Sequence, residues 1–466
     1  MTGPATDRGR LLLLCALATA VTVFTATVPL LRDWFDLRVY YGTVDSWIHH
    51  GGHVYDYRVP GTPYGFTYPP FAAVAMLPMA LVGPRTAIVA ALLLNLAALA
   101  VVVGVLAGPA LRRHGWYGAA LAACVLALFE PLRDTFSFGQ VNLLLLALVL
   151  FDRRLLTSCR RRRWAGVGIG LAAAVKLTPA LFIGLLLVAG YRRAAAVAGG
   201  VAAAATALAA LIAPDASRFY WTEAMWDTTR VGRLDYVSNQ SLQGVLARLG
   251  VESRAVWALL VVVVLCVWAR RVRRAVAAAD PTAAFALTGL TACLVSPVTW
   301  VHHLVWLLPS FAVLIRAGHP RVAGALYAVL CTSVVWLWFD DASGVDGFLG
   351  ANTYAWITLG LFLRLPVGQE ADRWRRASRS TNATAAPPST AAPVMPSAAD
   401  QPDGPSSPAE VPEATAAAAT GSTSGPGLGG DRNASSEPTG STRPAAANPQ
   451  SSSARASSYT AKPPPD

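Results

Sequence analysis

Runs of about 20 residues without a single charge recur along this chain, and each is long enough as a helix to cross roughly 30 Å of bilayer hydrocarbon. Leu11 to Leu31, Ile88 to Ala107 and Ala194 to Ala213 are three of them. A soluble core has no use for so many. Lipid offers no partners to a backbone, and apolar runs this continuous satisfy their own hydrogen bonds as helices. The class expected is therefore an all-α polytopic membrane protein. The first run follows Arg8 and Arg10 in the manner of a secretory signal, but it exceeds the usual apolar region of roughly 7 to 15 residues, which predicts an uncleaved anchor.

The formal net charge of +12 does not point to nucleic acid, because the arginines sit in short clusters between the apolar runs. Arg8/Arg10, Arg112/Arg113, Arg153/Arg154 with Arg160 to Arg163, Arg192/Arg193, Arg270 to Arg274, Arg316/Arg321 and Arg364 with Arg373 to Arg376 are such clusters, the marks of cytoplasmic loops. Placing them all inside predicts about ten crossings plus one re-entrant pair, or 10–12 transmembrane or re-entrant helices, with both termini cytoplasmic. The re-entrant pair is Trp164 to Tyr191, interrupted at Lys176-Leu177-Thr178-Pro179, where proline removes a donor and disfavours helix at the residue before it. Expected single spans include Ile88 to Ala107, Trp116 to Phe129, Phe138 to Phe151 and Val322 to Phe339. The polar, aromatic segments Asp33 to Tyr68, Glu130 to Asn142, Tyr220 to Arg248, Ser296 to His303 and Asp340 to Asp346 then share the outer face. The working site is expected there.

Residues 1–369 form the membrane domain in this reading. Residues 370–466 are Ala, Ser, Thr, Pro and Gly with few aromatics, too little apolar surface to offset ordering entropy, and are expected to be a disordered cytoplasmic tail. Its sequons at Asn382 and Asn433 are then chance matches. The six cysteines show no ligand spacing, so no metal site is read from them.

Several polar groups stand where lipid or an interface makes them expensive. Asp36 follows the first span, among Arg32, Asp33, Arg38, Trp34, Phe35, Tyr40 and Tyr41. An interfacial girdle explains the aromatics; it explains a carboxylate less well, and one held at that boundary can accept a proton from a hydroxyl. Tyr68 lies in a stiff, proline-flanked junction that serves equally as a loop-to-helix corner or a ligand contact. Gln140 and Asn142 must find partners, either neighbouring helices or a sugar. Lys176 amid an apolar half-helix pair costs about 2.5 to 3.5 kcal/mol to insert, and such residues usually face a cavity or an anion. Asn239 and Gln240 exceed what helix capping alone requires. His302 and His303 beside Trp300 suggest a site, though adjacent histidines point about 100° apart on a helix and do not readily share one metal ion.

In order along the chain, FDLRVYY, FTYPPF, FGQVNLLL, VKLTP, SNQSLQG and SPVTWVHH resemble the polyprenol-phosphate-mannose-dependent α-(1→2)-mannosyltransferases of actinobacteria, glycosyltransferase family 87, which have the GT-C fold. The resemblance spans roughly residues 30 to 310. It implies inverting transfer of mannose from a lipid-phosphate donor to a glycolipid or lipoglycan acceptor at the outer face of the plasma membrane, with Asp36 as general base. The donor is a substrate, and no cofactor or metal is implied. Lys176, Arg38, His302 and His303 are the candidates for the donor phosphate. Tyr40, Tyr68, Gln140, Asn142, Asn239, Gln240 and Trp300 are those for sugar or acceptor. Some relatives of this family transfer arabinofuranose, which is the alternative donor. A transporter is the rival of another class, but it predicts paired interruptions in two halves, and Lys176-Leu177-Thr178-Pro179 has no later partner. A non-catalytic scaffold would leave the polar outer segments without a purpose.

Overall fold

The computed structural model describes residues 6–27, 33–158 and 161–368. Arg32 and the tail from 370, with Asn382 and Asn433, lie outside the described residues. The described chain is helical throughout, its one β feature an isolated bridge between Arg58 and Gly65.

The first helix, α1 (Asp7–Thr27), is a long apolar span; α2 (Phe35–His49) and the short α3 (Pro70–Ala75) follow, then α4 (Pro84–Leu128), α5 (Glu130–Phe138) and α6 (Asn142–Leu156). Next come α7 (Val167–Val175), α8 (Leu181–Val188), α9 (Arg192–Ile212), α10 (Pro214–Thr222) and α11 (Leu242–Arg248). The last are α12 (Arg254–Ala277), α13 (Pro281–Val295), α14 (Leu308–Arg316), α15 (Pro320–Cys331), α16 (Gly344–Ala351) and α17 (Thr353–Arg364).

Among the described residues four helices are long and apolar enough to span alone, α1, α4, α9 and α12, or five if the bent pair α5/α6 is one span, and five further apolar stretches are shorter. Leu93, Leu211 and Leu259 on these long helices are 61%, 82% and 63% exposed, a surface that suits lipid and not water. The chain is a multi-pass membrane protein.

Three expected boundaries change. Ile88 to Ala107 and Trp116 to Phe129 are two helical segments that meet at a kink within α4, at Gly115 (φ 58°, ψ −145°), and the first extends past its expected end through the basic cluster, which is itself helical. The expected tip at Glu130 to Asp134 is instead the first turns of α5, with Pro131 in its first turn. Helix α5 bends by 116° into α6, so the span expected from Phe138 starts at Asn142. Val322 to Phe339 ends as α-helix at Cys331, and Ser333, at φ 60°, turns the chain into a 3-10 segment. The expected interruption at Lys176 is present: that residue is extended, at φ −148° and ψ 133°, between α7 and α8.

Small residues set the closest packing. A Cβ on Gly168 would stand 2.5 Å from the carbonyl oxygen of Leu148 in α6, and one on Gly170 2.5 Å from that of Ala198 in α9. Helix α7 therefore lies backbone to backbone against both neighbours, as small-residue seams permit in membranes. Helix α13 is apolar all round and buried from Thr282 to Leu294. It is the centre of the core, and Phe182 packs on its Phe285 and on Trp306, with ring centroids 5.7 and 5.3 Å apart.

Candidate active site

The chain leaves α1 and enters α2 through Asp33 and Trp34, both left-handed at φ 47° and 53°. The Trp34 N–H donates to the Ser137 carbonyl at 3.0 Å, which pins the start of α2 to the end of α5. Gly139 ends α5 at φ 71°, and a Cβ there would lie 2.6 Å from Cβ of Leu37. Glycine thus permits both the turn and the approach of α2. Asp36 and Tyr40, one helical turn apart, share the face turned to Gln140.

From Asp36 a continuous polar chain runs through four other segments. Its carboxyl faces the Gln140 side chain, which favours the charged form. Oε1 of Gln140 accepts from the Tyr68 hydroxyl and from Nδ2 of Asn142, each at 3.0 Å, which leaves the Gln140 amide N–H to face Asp36. Tyr40 donates to the Tyr68 hydroxyl at 3.1 Å. Oδ1 of Asn142 accepts from Nζ of Lys176 at 3.1 Å. That ammonium nitrogen lies 5.0 Å from the centroid of the Tyr68 ring and 2.8 Å from Nε2 of His303. Nδ1 of His303 in turn accepts the Trp300 backbone N–H at 3.0 Å.

Asp36 and Lys176 sense each other's charge without forming an ion pair among the described residues. Burial pushes the Asp36 carboxyl up to about 6, against the pull of the Gln140 hydrogen bond and of the Lys176 charge. A carboxylate with that value is suited to take a proton near neutral pH. A cation one amide pair away is suited to a departing anion. Among the described residues no three of His, Cys, Asp and Glu gather closely enough to share a metal ion.

Asp36, Tyr40, Tyr68, Gln140, Asn142, Lys176 and His303 thus come together. The other expected residues stand around them. Arg38, two positions from Asp36 on α2, points away and pairs with Asp33 at 3.0 Å, both groups exposed. His302 is buried behind His303, its ring 5.2 Å from that of Phe138. Trp300 gives its N–H to His303 while its indole packs on Tyr236 at 5.9 Å.

Asn239 and Gln240 are wholly buried and bonded to backbone. The Asn239 amide donates to the carbonyls of Leu234 and Pro297 and accepts from Ser241 and Thr299. That of Gln240 donates to Val237 and Ala351 and accepts from Ala355. These two side chains join the loop before α11 to the loop after α13 and to α17.

Two contributors were not singled out from sequence. Asn95, buried in the first third of α4, donates to the Gln140 carbonyl at 3.2 Å; its signal was a lone amide in an apolar span. Arg248 gathers the carbonyls of Asp235, Tyr236 and Asn239 and the Asn352 side chain. Nothing in its local sequence marks it.

A profile of glycosyltransferase family 87 matches residues 66–297, from the tyrosine–proline junction to the loop that carries Trp300. Three relatives resemble longer stretches. A polyprenol-phosphate-mannose-dependent alpha-(1-2)-phosphatidylinositol mannoside mannosyltransferase of Mycobacterium tuberculosis is 34% identical over 325 residues, covering 64% of this chain and 74% of its own. A protein of the same description from Mycolicibacterium smegmatis is 34% identical over 308 residues, or 60% and 67% of the two chains. A polyprenol-phosphate-mannose-dependent alpha-(1-2)-phosphatidylinositol pentamannoside mannosyltransferase of Mycobacterium tuberculosis is 33% identical over 339 residues, or 68% and 74%. No solved structure matches the chain.

Proposed function

The chain belongs to glycosyltransferase family 87, and from that premise we propose that it transfers mannose from polyprenyl-phosphate-mannose to a phosphatidylinositol mannoside or related glycolipid or lipoglycan. The linkage formed is α-(1→2), and the reaction proceeds with inversion. The observation that carries the reading is the line from Asp36 through Gln140 and Asn142 to Lys176. It holds a base and a cation in one pocket, separated by two amides instead of neutralised against each other.

Asp36 removes the proton of the acceptor hydroxyl as its oxygen bonds to the anomeric carbon. The bond from that carbon to the phosphate oxygen breaks on the opposite face. The proton stays on Asp36, and polyprenyl phosphate leaves with one more negative charge than it carried as the sugar diester. Lys176, hydrogen-bonded to Asn142, meets that charge. A phosphate leaving group needs positive charge rather than a proton, so this mechanism calls for no metal or cofactor. Tyr40, Tyr68, Gln140 and Asn142 line the pocket between the two and are placed to orient sugar hydroxyls.

The site faces the outside of the plasma membrane in this reading, with the termini and the tail from residue 370 within. The orientation rests on the basic clusters, and the meeting of Asp36, Tyr68, Gln140, Lys176 and His303 supports their sharing one face. The test is purified protein in liposomes with polyprenyl-phosphate-mannose, polyprenyl-phosphate-arabinose and phosphatidylinositol mannosides, with products resolved by linkage analysis. Mannose added in an α-(1→2) bond is the expected outcome. Transfer of arabinose alone, or of neither sugar, overturns the reading.

A further inference from the structure

A second polar site lies one tyrosine away from the first. The Tyr55 backbone carbonyl accepts from Nη1 of Arg58 at 3.1 Å and from Nη2 of Arg230 at 3.3 Å. Two guanidinium groups from loops 172 positions apart thus converge on one neutral oxygen. Neither forms an ion pair among the described residues. Nε of Arg230 is buried and has no acceptor, while the face of that guanidinium rests 5.2 Å from the Phe219 ring centroid. Burial and the charge of Arg58 both pull the Arg230 pKa below its ordinary value, against Asp227, Tyr55 and Glu223. The nearest acid in sequence, Asp227, is already engaged by the N–H and hydroxyl of Thr229.

Like charges held together around an orphaned donor are costly unless an anion sits between them. Two planar forks match the paired oxygens of a phosphate diester, which guanidinium binds better than a single ammonium does. The position fits a lipid headgroup. Trp226, 67% exposed, and Trp221 beside it lie on the same segment as Arg230, and indoles favour the depth of lipid headgroups. The link to the reacting pocket is direct: the Tyr55 hydroxyl donates to the Tyr68 carbonyl at 2.8 Å, and the Tyr68 hydroxyl meets Gln140.

We propose that Arg58 and Arg230 anchor the phosphate diester of an anionic lipid acceptor, so that its sugar headgroup reaches past Tyr55 and Tyr68 to Asp36. The inference rests on the glycosyltransferase reading of the Asp36 pocket. It adds a reason for that pocket to prefer acceptors whose glycan is built on a phosphorylated lipid. The donor is also a phosphate diester, so the same chemistry has two sources that must be told apart.

The test uses the full chain in nanodiscs of zwitterionic lipid, with polyprenyl-phosphate-mannose as donor. The acceptors are a phosphatidylinositol mannoside and an alkyl mannoside of the same glycan without phosphate. In Arg230→Gln, Arg58→Gln and the double variant, KM for the phosphorylated acceptor rises about 10-fold or more. The preference of the wild type for it over the alkyl mannoside falls by the same factor, and Arg230→Lys retains part of it. Equal losses with both acceptors, or a rise in donor KM in place of acceptor KM, overturn the proposal. Equilibrium binding of the two acceptors is measured alongside. If the wild type turns over neither, the proposed reaction fails, and binding still decides the anchor: selective loss of the phosphorylated ligand in Arg230→Gln supports it, and unchanged affinity refutes it.

Discussion

Nζ of Lys176 stands 2.8 Å from Nε2 of His303, across 127 positions of sequence. The other ring nitrogen accepts the Trp300 N–H, and Oδ1 of Asn142 accepts from the lysine at 3.1 Å. An amine anchored by Asn142 reaches a departing phosphate with little reorganisation. Lys176→Met should lower kcat by roughly 10²- to 10³-fold. Single-turnover kinetics with the lipid-phosphate donor check this, and a variant altered only in KM would show that Lys176 binds the ground state alone.

Asp36→Asn keeps the shape of the side chain while removing the base. Transfer should fall by about 10²- to 10⁴-fold, with the protein inserted and its thermal midpoint close to that of the wild type. Near-normal turnover would take Asp36 out of the mechanism.

The pH profile follows from the same group. The Asp36 carboxyl is pushed up to about 6, and it accepts a proton only when ionised. Below that value it is protonated and inert; above it, it is charged and active. The acid limb of kcat/KM should therefore climb about tenfold per pH unit towards a midpoint near 6. Initial rates between pH 4.5 and 8 at constant ionic strength, roughly spanning the midpoint, test this. A flat profile would contradict it.

Asn239 is committed to four backbone partners. Asn239→Ala strands buried N–H and carbonyl groups, each costing about 1 to 3 kcal/mol. A lowered thermal midpoint in detergent is the expected primary effect, with lost activity following from it. Loss of activity at an unchanged midpoint would return Asn239 to direct sugar contact.

Topology can be tested without substrate. Single cysteines introduced at Asp56 and Asp227, in the loops that carry Arg58 and Arg230, should react with an impermeant maleimide from outside intact cells. Labelling of either from the inside only would invert the proposed orientation.

The helical class and much of the pocket were legible because lipid makes polarity expensive. Gln140, Asn142 and Lys176 stand out against apolar neighbours, and the interruption at Lys176 follows from Thr178 and Pro179; Asp36, among charged and aromatic neighbours, is singled out over Asp33 only by the family resemblance. The distribution of roles was less legible. A polar run such as Ser238 to Gly244 reads alike whether its amides meet a sugar or a carbonyl, and only Pro297, Thr299, Ala351 and Ala355 decide it. The basic cluster at Arg112/Arg113 marked a loop by charge, yet arginine is a good helix former, so α4 runs through it to Gly115. The convergence of Arg58 with Arg230 has no local signature at all, since it depends on where two distant loops fold.

The glycine seam along α7 has a bearing on traffic. With Gly168 against Leu148 and Gly170 against Ala198, two neighbouring helices are sealed onto α7 just ahead of Lys176. An isoprenoid tail several carbons wide cannot thread through either seam. The doorway for the long-chain sugar carrier must open on another flank, and a bulky residue at Gly170 would pry apart a wall, not obstruct an entrance.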